Sequence, residues 1–164
     1  MGKRNEISLR RRHVEDKELG YKKKEHYLYM ICFLVGLSKN EKDNMHGKIL
    51  YVLESQKTRG DISTSEFIQY QVHAISIVQG NEFIPSISYV RQCLQQLIKI
   101  GFVEKHKNGY RIFENDTLLN AYNTNTLKKI EEIVTTHRKV LTKYNEKYEY
   151  SLSFKKFYDN NKKW

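Results

Sequence analysis

The sequence has 164 residues, long enough for one domain with a buried core. Its formal net charge of +10 favours a polyanionic partner, meaning nucleic acid, an acidic membrane surface or an acidic protein. Its two cysteines, Cys32 and Cys93, are too few for a disulfide framework and lack a metal-binding spacing, so we expect reduced thiols in a cytoplasmic protein.

Residues 1–24 form a basic segment with nine Lys or Arg against four acidic residues and little apolar periodicity. This composition predicts a mobile arm. Its Arg10, Arg11 and Arg12 would suit contacts to phosphate or to the minor groove if the domain binds DNA. The alternative is a solvated tail without a role.

Tyr27–Leu37 is the most apolar run, but its eleven residues fall short of the ~20 that span a bilayer. The acids Glu15, Asp16 and Glu18 precede it and no small-residue cleavage site follows, which argues against a secretory signal. We therefore expect no membrane partner and a buried helix over Glu25–Leu37.

The next two helices are predicted from apolar periodicity. The first covers Met45–Lys57 and ends before Gly60; its inward positions are Ile49, Leu50, Val52 and Leu53. Ile62 then lies in a short extended piece.

Ser63-Thr64-Ser65-Glu66 reads as a capping box, with Ser63 as the N-cap. It opens a helix to about Gln79, followed by a turn at Gly80-Asn81-Glu82. The inward positions of this helix are Phe67, Ile68, Val72, Ile75 and Val78.

A further helix is predicted over Ser86–Ile100. Pro85 or Ser86 starts it, because proline fits a first helical turn and serine can cap one. Gly101 ends it. Its inward stripe is Ile87, Val90, Leu94, Leu97 and Ile98.

A β-hairpin is predicted over Phe102–Phe113. Asn108-Gly109 separates two extended runs, and this dipeptide suits a type I′ turn with positive φ at both positions.

The last long helix is predicted from about Thr117 to Tyr148, with an aromatic and basic tail over residues 149–164. Apolar positions spaced alternately three and four residues apart form a heptad seam. They are Leu127, Ile130, Val134, His137, Leu141, Tyr144 and Tyr148. We expect a dimerisation surface; the alternative is packing onto the Tyr27–Leu37 helix.

The order of helix, short strand, two helices and hairpin resembles the winged helix-turn-helix superfamily. The residues that carry the resemblance are SISYVRQCLQQLIKIGFVEK, from Ser86 to Lys105. They match a recognition helix, then Leu-x-x-hydrophobic-Gly-hydrophobic-hydrophobic, then a wing. The segment Ser76–Ile84 is longer than the tight turn of most members, which affects the angle between the two helices.

The outward face of Ser86–Ile100 carries no acidic residue. Amides can pair with adenine edges and Arg with guanine, so this face favours contact with double-stranded DNA over solvent or a protein partner. Ser88, Tyr89 and Gln92 would reach bases, Arg91 base or phosphate, and Lys99 phosphate. The full face is Ser86, Ser88, Tyr89, Arg91, Gln92, Gln95, Gln96 and Lys99; the wing adds Lys105, His106, Lys107, Asn108 and Arg111.

The expected protein is mainly α with a small β-hairpin wing. Residues 1–24 are the arm, 25–113 the DNA-binding domain and 114–164 the dimerisation helix and tail. The layout resembles regulators of the PadR type, and the Lys-, Asn-, Tyr- and Ile-rich composition favours a bacterial, plasmid or phage origin. We expect a dimeric transcriptional regulator. Alternatives are a plasmid partition, transfer or replication accessory factor and a winged-helix protein-interaction module.

Enzyme signatures are missing from the sequence: it has no phosphate-binding glycine loop, no dinucleotide fingerprint and no H-E-x-x-H. The six histidines are scattered. We therefore expect no catalysis, no cofactor and no metal.

Overall fold

The structure, a computed structural model, describes residues 8–20, 22–39, 45–60, 63–80 and 84–160, with side chains as far as Tyr148. Across these ranges it is mainly helical with a single two-stranded antiparallel sheet, which confirms the expected fold class. The elements are α1 (Asp16–Leu19), α2 (Lys24–Leu34), α3 (Met45–Gln56), α4 (Ser65–Val78), α5 (Ile87–Ile100), β1 (Val103–His106), β2 (Gly109–Ile112), α6 (Leu118–Ala121) and α7 (Leu127–Asn160).

Some expected features lie outside the described residues. These are the extended piece at Ile62, the turn residues Asn81-Glu82, and residues 1–7 and 161–164 of the arm and tail. The chain divides into two compact units, Met1–Leu127 and Lys128–Trp164.

The first unit has one hydrophobic core, shared by α2, α3, α4, α5 and the hairpin. The inward positions expected for α3 are confirmed, since Ile49, Leu50, Val52 and Leu53 are all buried. The largest fully buried side chains are Phe102, Ile49, Leu50, Ile68, Leu94, Leu97, Ile100, Ile112, Val72, Val90 and Val103.

Helices α2 and α3 pack closely through Gly47. A Cβ atom added there would lie 2.2 Å from Cδ1 of Tyr29. A residue with a side chain at this position would therefore push the two helices apart.

A lysine side chain lies inside this core. Lys48 in α3 is 4% exposed, and its Nζ donates to Oγ of Ser76 at 3.0 Å. The Ser76 hydroxyl in turn donates to the carbonyl of Val72 at 2.9 Å. Burial lowers the pKa of Lys48 because it disfavours the charged form.

The inward face predicted for α4 is right for Ile68 and Val72, which are buried, and wrong for Val78, which is 88% exposed. Val78 is the last residue of α4, where the chain leaves the core. Ser76, four residues after Val72 on the same stripe, is buried instead.

The predicted capping box is wrong, and the N-cap of α4 lies one residue later than predicted. Thr64 is the N-cap of α4, and its hydroxyl accepts from the Phe67 amide at 3.2 Å. Ser63 is extended and forms a bridge with Tyr110, whose amide donates to the Ser63 carbonyl at 2.9 Å. Because Ser63 pairs with the hairpin in an extended conformation, the next hydroxyl residue, Thr64, caps the helix.

The hairpin is confirmed, but its predicted turn is wrong. His106 pairs with Gly109, so Lys107 and Asn108 form the loop, and Lys107 has the positive φ of 55°. The register sets buried Val103 opposite buried Ile112. A turn at Asn108-Gly109 would instead pair Val103 with Glu114, which is exposed, so the observed register keeps two buried side chains directly opposite each other.

In the second unit, α7 continues to Asn160, beyond the Tyr148 end that the sequence predicted. Its backbone is kinked at Tyr148, where φ is −114° and ψ is 16°.

Candidate nucleic-acid interface

Helix α5 is fixed at both ends and along one side. The Ser86 hydroxyl caps it by accepting from the Tyr89 amide at 3.1 Å. Gly101 ends it with a φ of 98°, and the Phe102 amide donates to the Leu97 carbonyl at 3.1 Å, the pattern of a Schellman motif. The buried side is Val90, Cys93, Leu94, Leu97 and Ile100.

The opposite side of α5 is exposed and polar, as predicted. Its exposed members are Ser86, Ser88, Arg91, Gln92, Gln95 and Lys99. The helix itself contains no Asp or Glu. This surface therefore presents hydroxyls, amides and cations.

Two predicted members are placed differently from the rest. Tyr89 is half-buried and packs against the core. Gln96 is also half-buried, and its Oε1 accepts a hydrogen bond from Nε2 of His46 at 2.6 Å. This contact holds the side-chain carbonyl of Gln96 inside the protein, so that oxygen is not free to bind a ligand at the outer side of α5.

Tertiary structure adds a carboxylate to this surface. Nη2 of Arg91 donates to Oε1 of Glu66 at 3.0 Å, and Nε of Arg91 donates to Oγ of Ser65 at 3.3 Å. The pKa of Glu66 is lowered, mainly by a hydrogen bond from its own backbone amide and then by Ser65 and Arg91. The carboxylate is therefore ionised at neutral pH and neutralises part of the Arg91 charge.

The long connection before α5 is held by contacts from α4. Nε2 of Gln69 donates to the carbonyl of Pro85 at 2.8 Å, directly before the Ser86 cap. Together with the bonds from Arg91 to Ser65 and Glu66, this contact ties the first half of α4 to the start of α5.

The hairpin presents basic side chains at its tip. Lys105, Lys107 and Asn108 are exposed there. Arg111 is half-buried, and its Nε donates across the strands to Oε2 of Glu104 at 3.1 Å. Arg111 thus has a cross-strand partner in the hairpin.

An open cavity of about 210 Å³ lies between the end of α3 and the hairpin. His106, Lys107 and Arg111 line it from the hairpin, and Lys57 lines it from the turn after α3. His106 is half-buried there rather than at the exposed tip. The basic side chains of the hairpin therefore reach both the tip and this cavity, and Lys107 lies at both.

The described part of the basic segment is not a free arm at Arg10. The Arg10 guanidinium lies 4.4 Å from the centroid of the Phe33 ring and donates to the carbonyls of Phe33 (3.0 Å) and Ser38. Its amide donates to the carbonyl of Leu34 at 2.8 Å. Arg12 pairs with Glu18 at 2.7 Å, whereas Arg11 is exposed.

The seam residues differ in exposure along α7. Leu127, Ile130 and Val134 are half-buried, and His137 is exposed. Leu141 is 62% exposed and Tyr144 59%. The second half of the seam is thus an open apolar surface of the second unit.

Sequence reasoning missed Glu66, His46 and the Lys48–Ser76 pair. The burial of Lys48 could have been predicted, because Lys48 lies four residues before Val52 and therefore on the same inward face of the helix. The contact between Glu66 and Arg91 could not have been predicted from local sequence, because the two residues are 25 positions apart.

No cluster of three or more His, Cys, Asp or Glu side chains suited to a metal ion occurs in the described ranges. None of the helices in that part of the chain is long and apolar enough to cross a membrane. Cys32 and Cys93 are buried and unbridged, and burial raises the pKa of the Cys32 thiol.

Compared with protein-family models, curated proteins and solved structures, the chain has no significant match.

Proposed function

We propose that this chain is a sequence-specific double-stranded DNA-binding protein and acts as a small dimeric regulator in the cytoplasm. The observation that carries the proposal is the outer side of α5. It exposes Ser88, Arg91, Gln92, Gln95 and Lys99 on a helix without an acidic residue. Such side chains pair with base edges in the major groove and with phosphates.

The arrangement around α5 supports the proposal. A helix, an extended bridge at Ser63, two helices and a hairpin follow one another, which is the order of a winged helix-turn-helix. In that arrangement α5 enters the major groove and the hairpin contacts the neighbouring backbone. The exposed cations Lys105 and Lys107 suit this second role.

The contacts of Arg91 refine its role. Free of DNA, its guanidinium is held by Glu66 and Ser65, so its position is already ordered. Glu66 limits non-specific attraction to phosphate, and Gln92 and Gln95 are left as the amides with the most open access to bases.

Selection of bound duplexes from random DNA tests the proposal directly. We expect an enriched motif that is retained at ~100 mM salt, whereas a purely electrostatic binder gives a steep salt dependence and no motif. Absence of binding would favour a protein-interaction module instead.

A paired variant locates the site. Gln92→Ala should weaken binding to the enriched duplex by roughly 10- to 100-fold, because one amide–base pair is lost. Asn123→Ala, which removes an exposed amide beyond the hairpin, should leave binding unchanged.

A further inference from the structure

The seam of α7 has the positions of a coiled coil. Its alternating spacing assigns Leu127, Val134 and Leu141 to a positions and Ile130, His137 and Tyr144 to d positions. Leu141 is 62% exposed and Tyr144 59%, so the second half of this seam is open in a single chain, whereas Leu127, Ile130 and Val134 are half-buried. A helix of 34 residues that exposes such a seam needs a partner to cover it.

The flanking positions show which partner fits. The e positions are Glu131, Arg138 and Asn145, and the g positions are Ile133, Val140 and Lys147. Glu131 and Arg138 are exposed, and neither makes an ion pair with another described residue. Each is therefore open to a charge on a second helix.

We propose that a second copy of this chain covers the seam with its α7 antiparallel, centred between Val134 and His137. In this register Val134 faces the partner's His137, and Ile130 faces the partner's Leu141. Glu131 then lies opposite the partner's Arg138, and symmetry repeats this pair. The register follows from the requirement that each a position faces a d position across the dyad.

The g positions favour the same orientation. Antiparallel helices set g against g, so Ile133 meets the partner's Val140 and widens the apolar contact. Parallel helices set g against e, which places Arg138 against Ile133 and Asn145 against Val140. Charge and apolar pairing are both satisfied only in the antiparallel arrangement.

This inference deepens the dimer of the proposed function. Its test contains no DNA, so each can fail without the other. The self-association constant of the full chain is measured by sedimentation for the wild type, Glu131→Arg and Arg138→Glu, alone and in equimolar mixture. Glu132→Arg at the neighbouring f position is the matched control, and circular dichroism checks that each variant keeps its helices.

In the antiparallel dimer, Glu131→Arg sets Arg against Arg twice, and Arg138→Glu sets Glu against Glu twice. Each variant should dimerise roughly tenfold more weakly than the wild type. The mixture should recover wild-type affinity because both interhelical pairs become Arg with Glu again, and Glu132→Arg should match the wild type.

Three results would overturn the inference. The first is a wild type that stays monomeric at ~100 µM, a concentration well above a micromolar dissociation constant. The second is that the single variants dimerise as tightly as the wild type. The third is that the weakened variants do not regain wild-type affinity when they are mixed. The last two point to a parallel dimer or to a contact elsewhere.

Discussion

Arg91 of α5 and Glu66 of α4 form an ion pair at 3.0 Å, although their side chains are 54% and 65% exposed. The pair sets a carboxylate beside α5, a helix that itself contains no Asp or Glu. The carboxylate thereby lowers the net positive charge of the outer side of α5.

Replacing Glu66 by Gln should therefore strengthen binding to duplex DNA. The variant frees the Arg91 charge and removes a repulsive carboxylate, so we expect roughly two- to tenfold higher affinity, with a smaller gain at high salt. Fluorescence anisotropy with a labelled duplex measures it. Glu132→Gln in α7 is the control and should change nothing; equal or lower affinity for Glu66→Gln would argue against DNA on this side.

The Ser86 cap should stabilise the fold measurably. Ser86→Ala removes the acceptor of the Tyr89 amide and should lower the free energy of unfolding by about 1 kcal/mol. Ser88→Ala, two residues later on the exposed side, should change it by less than about 0.5 kcal/mol. Urea denaturation distinguishes the two; similar losses for both would contradict the cap assignment.

The buried Lys48 should cost stability at neutral pH. Lys48→Met keeps a similar length without the buried charge, so the free energy of unfolding should rise by about 1–3 kcal/mol, and Ser76 keeps its bond to Val72.

The same residue predicts a pH dependence. Because burial lowers the pKa of Lys48 in the folded state, the unfolded chain binds more protons between the folded and unfolded pKa values. The stability of the wild type should therefore rise with pH across the alkaline range below the unfolded pKa, and the gain from Lys48→Met should shrink. Thermal melts from pH 7 upwards test this; a gain that grows with pH would refute it.

Neighbouring arginines of the basic segment should behave differently. Arg10→Ala loses the Phe33 ring contact and bonds to two carbonyls, and should lower the free energy of unfolding by about 1–2 kcal/mol. Arg11→Ala should change it by less than about 0.5 kcal/mol. Urea denaturation of both is the measurement, and equal effects would contradict the anchoring role of Arg10.

Apolar periodicity was enough to predict α2, α3, α4, α5 and α7, because burial repeats along a helix. The hairpin was predicted from Asn108-Gly109, and α1 lies in a segment where no helix was predicted. The sequence did not show which hydroxyl caps α4, because Ser63 pairs with Tyr110, a residue 47 positions later in the chain. The turn at Lys107-Asn108 was not predicted either, because it pairs buried Val103 directly with buried Ile112, a contact that the Asn108-Gly109 dipeptide does not show. The helix period predicted which residues of α5 lie on its outer side. It did not predict that Glu66 of α4 and His46 of α3 contact two of them, Arg91 and Gln96.

The most direct test of the account compares two duplexes and two proteins at ~100 mM salt. One duplex carries the motif enriched from random DNA, and the other is its scrambled counterpart; the proteins are the wild type and Gln92→Ala. The wild type should prefer the motif by at least roughly 1,000-fold. Gln92→Ala should lose roughly 10- to 100-fold on the motif and nothing on the scrambled duplex. Equal wild-type affinity for both duplexes, or full motif affinity in Gln92→Ala, would contradict the claim that α5 reads DNA sequence.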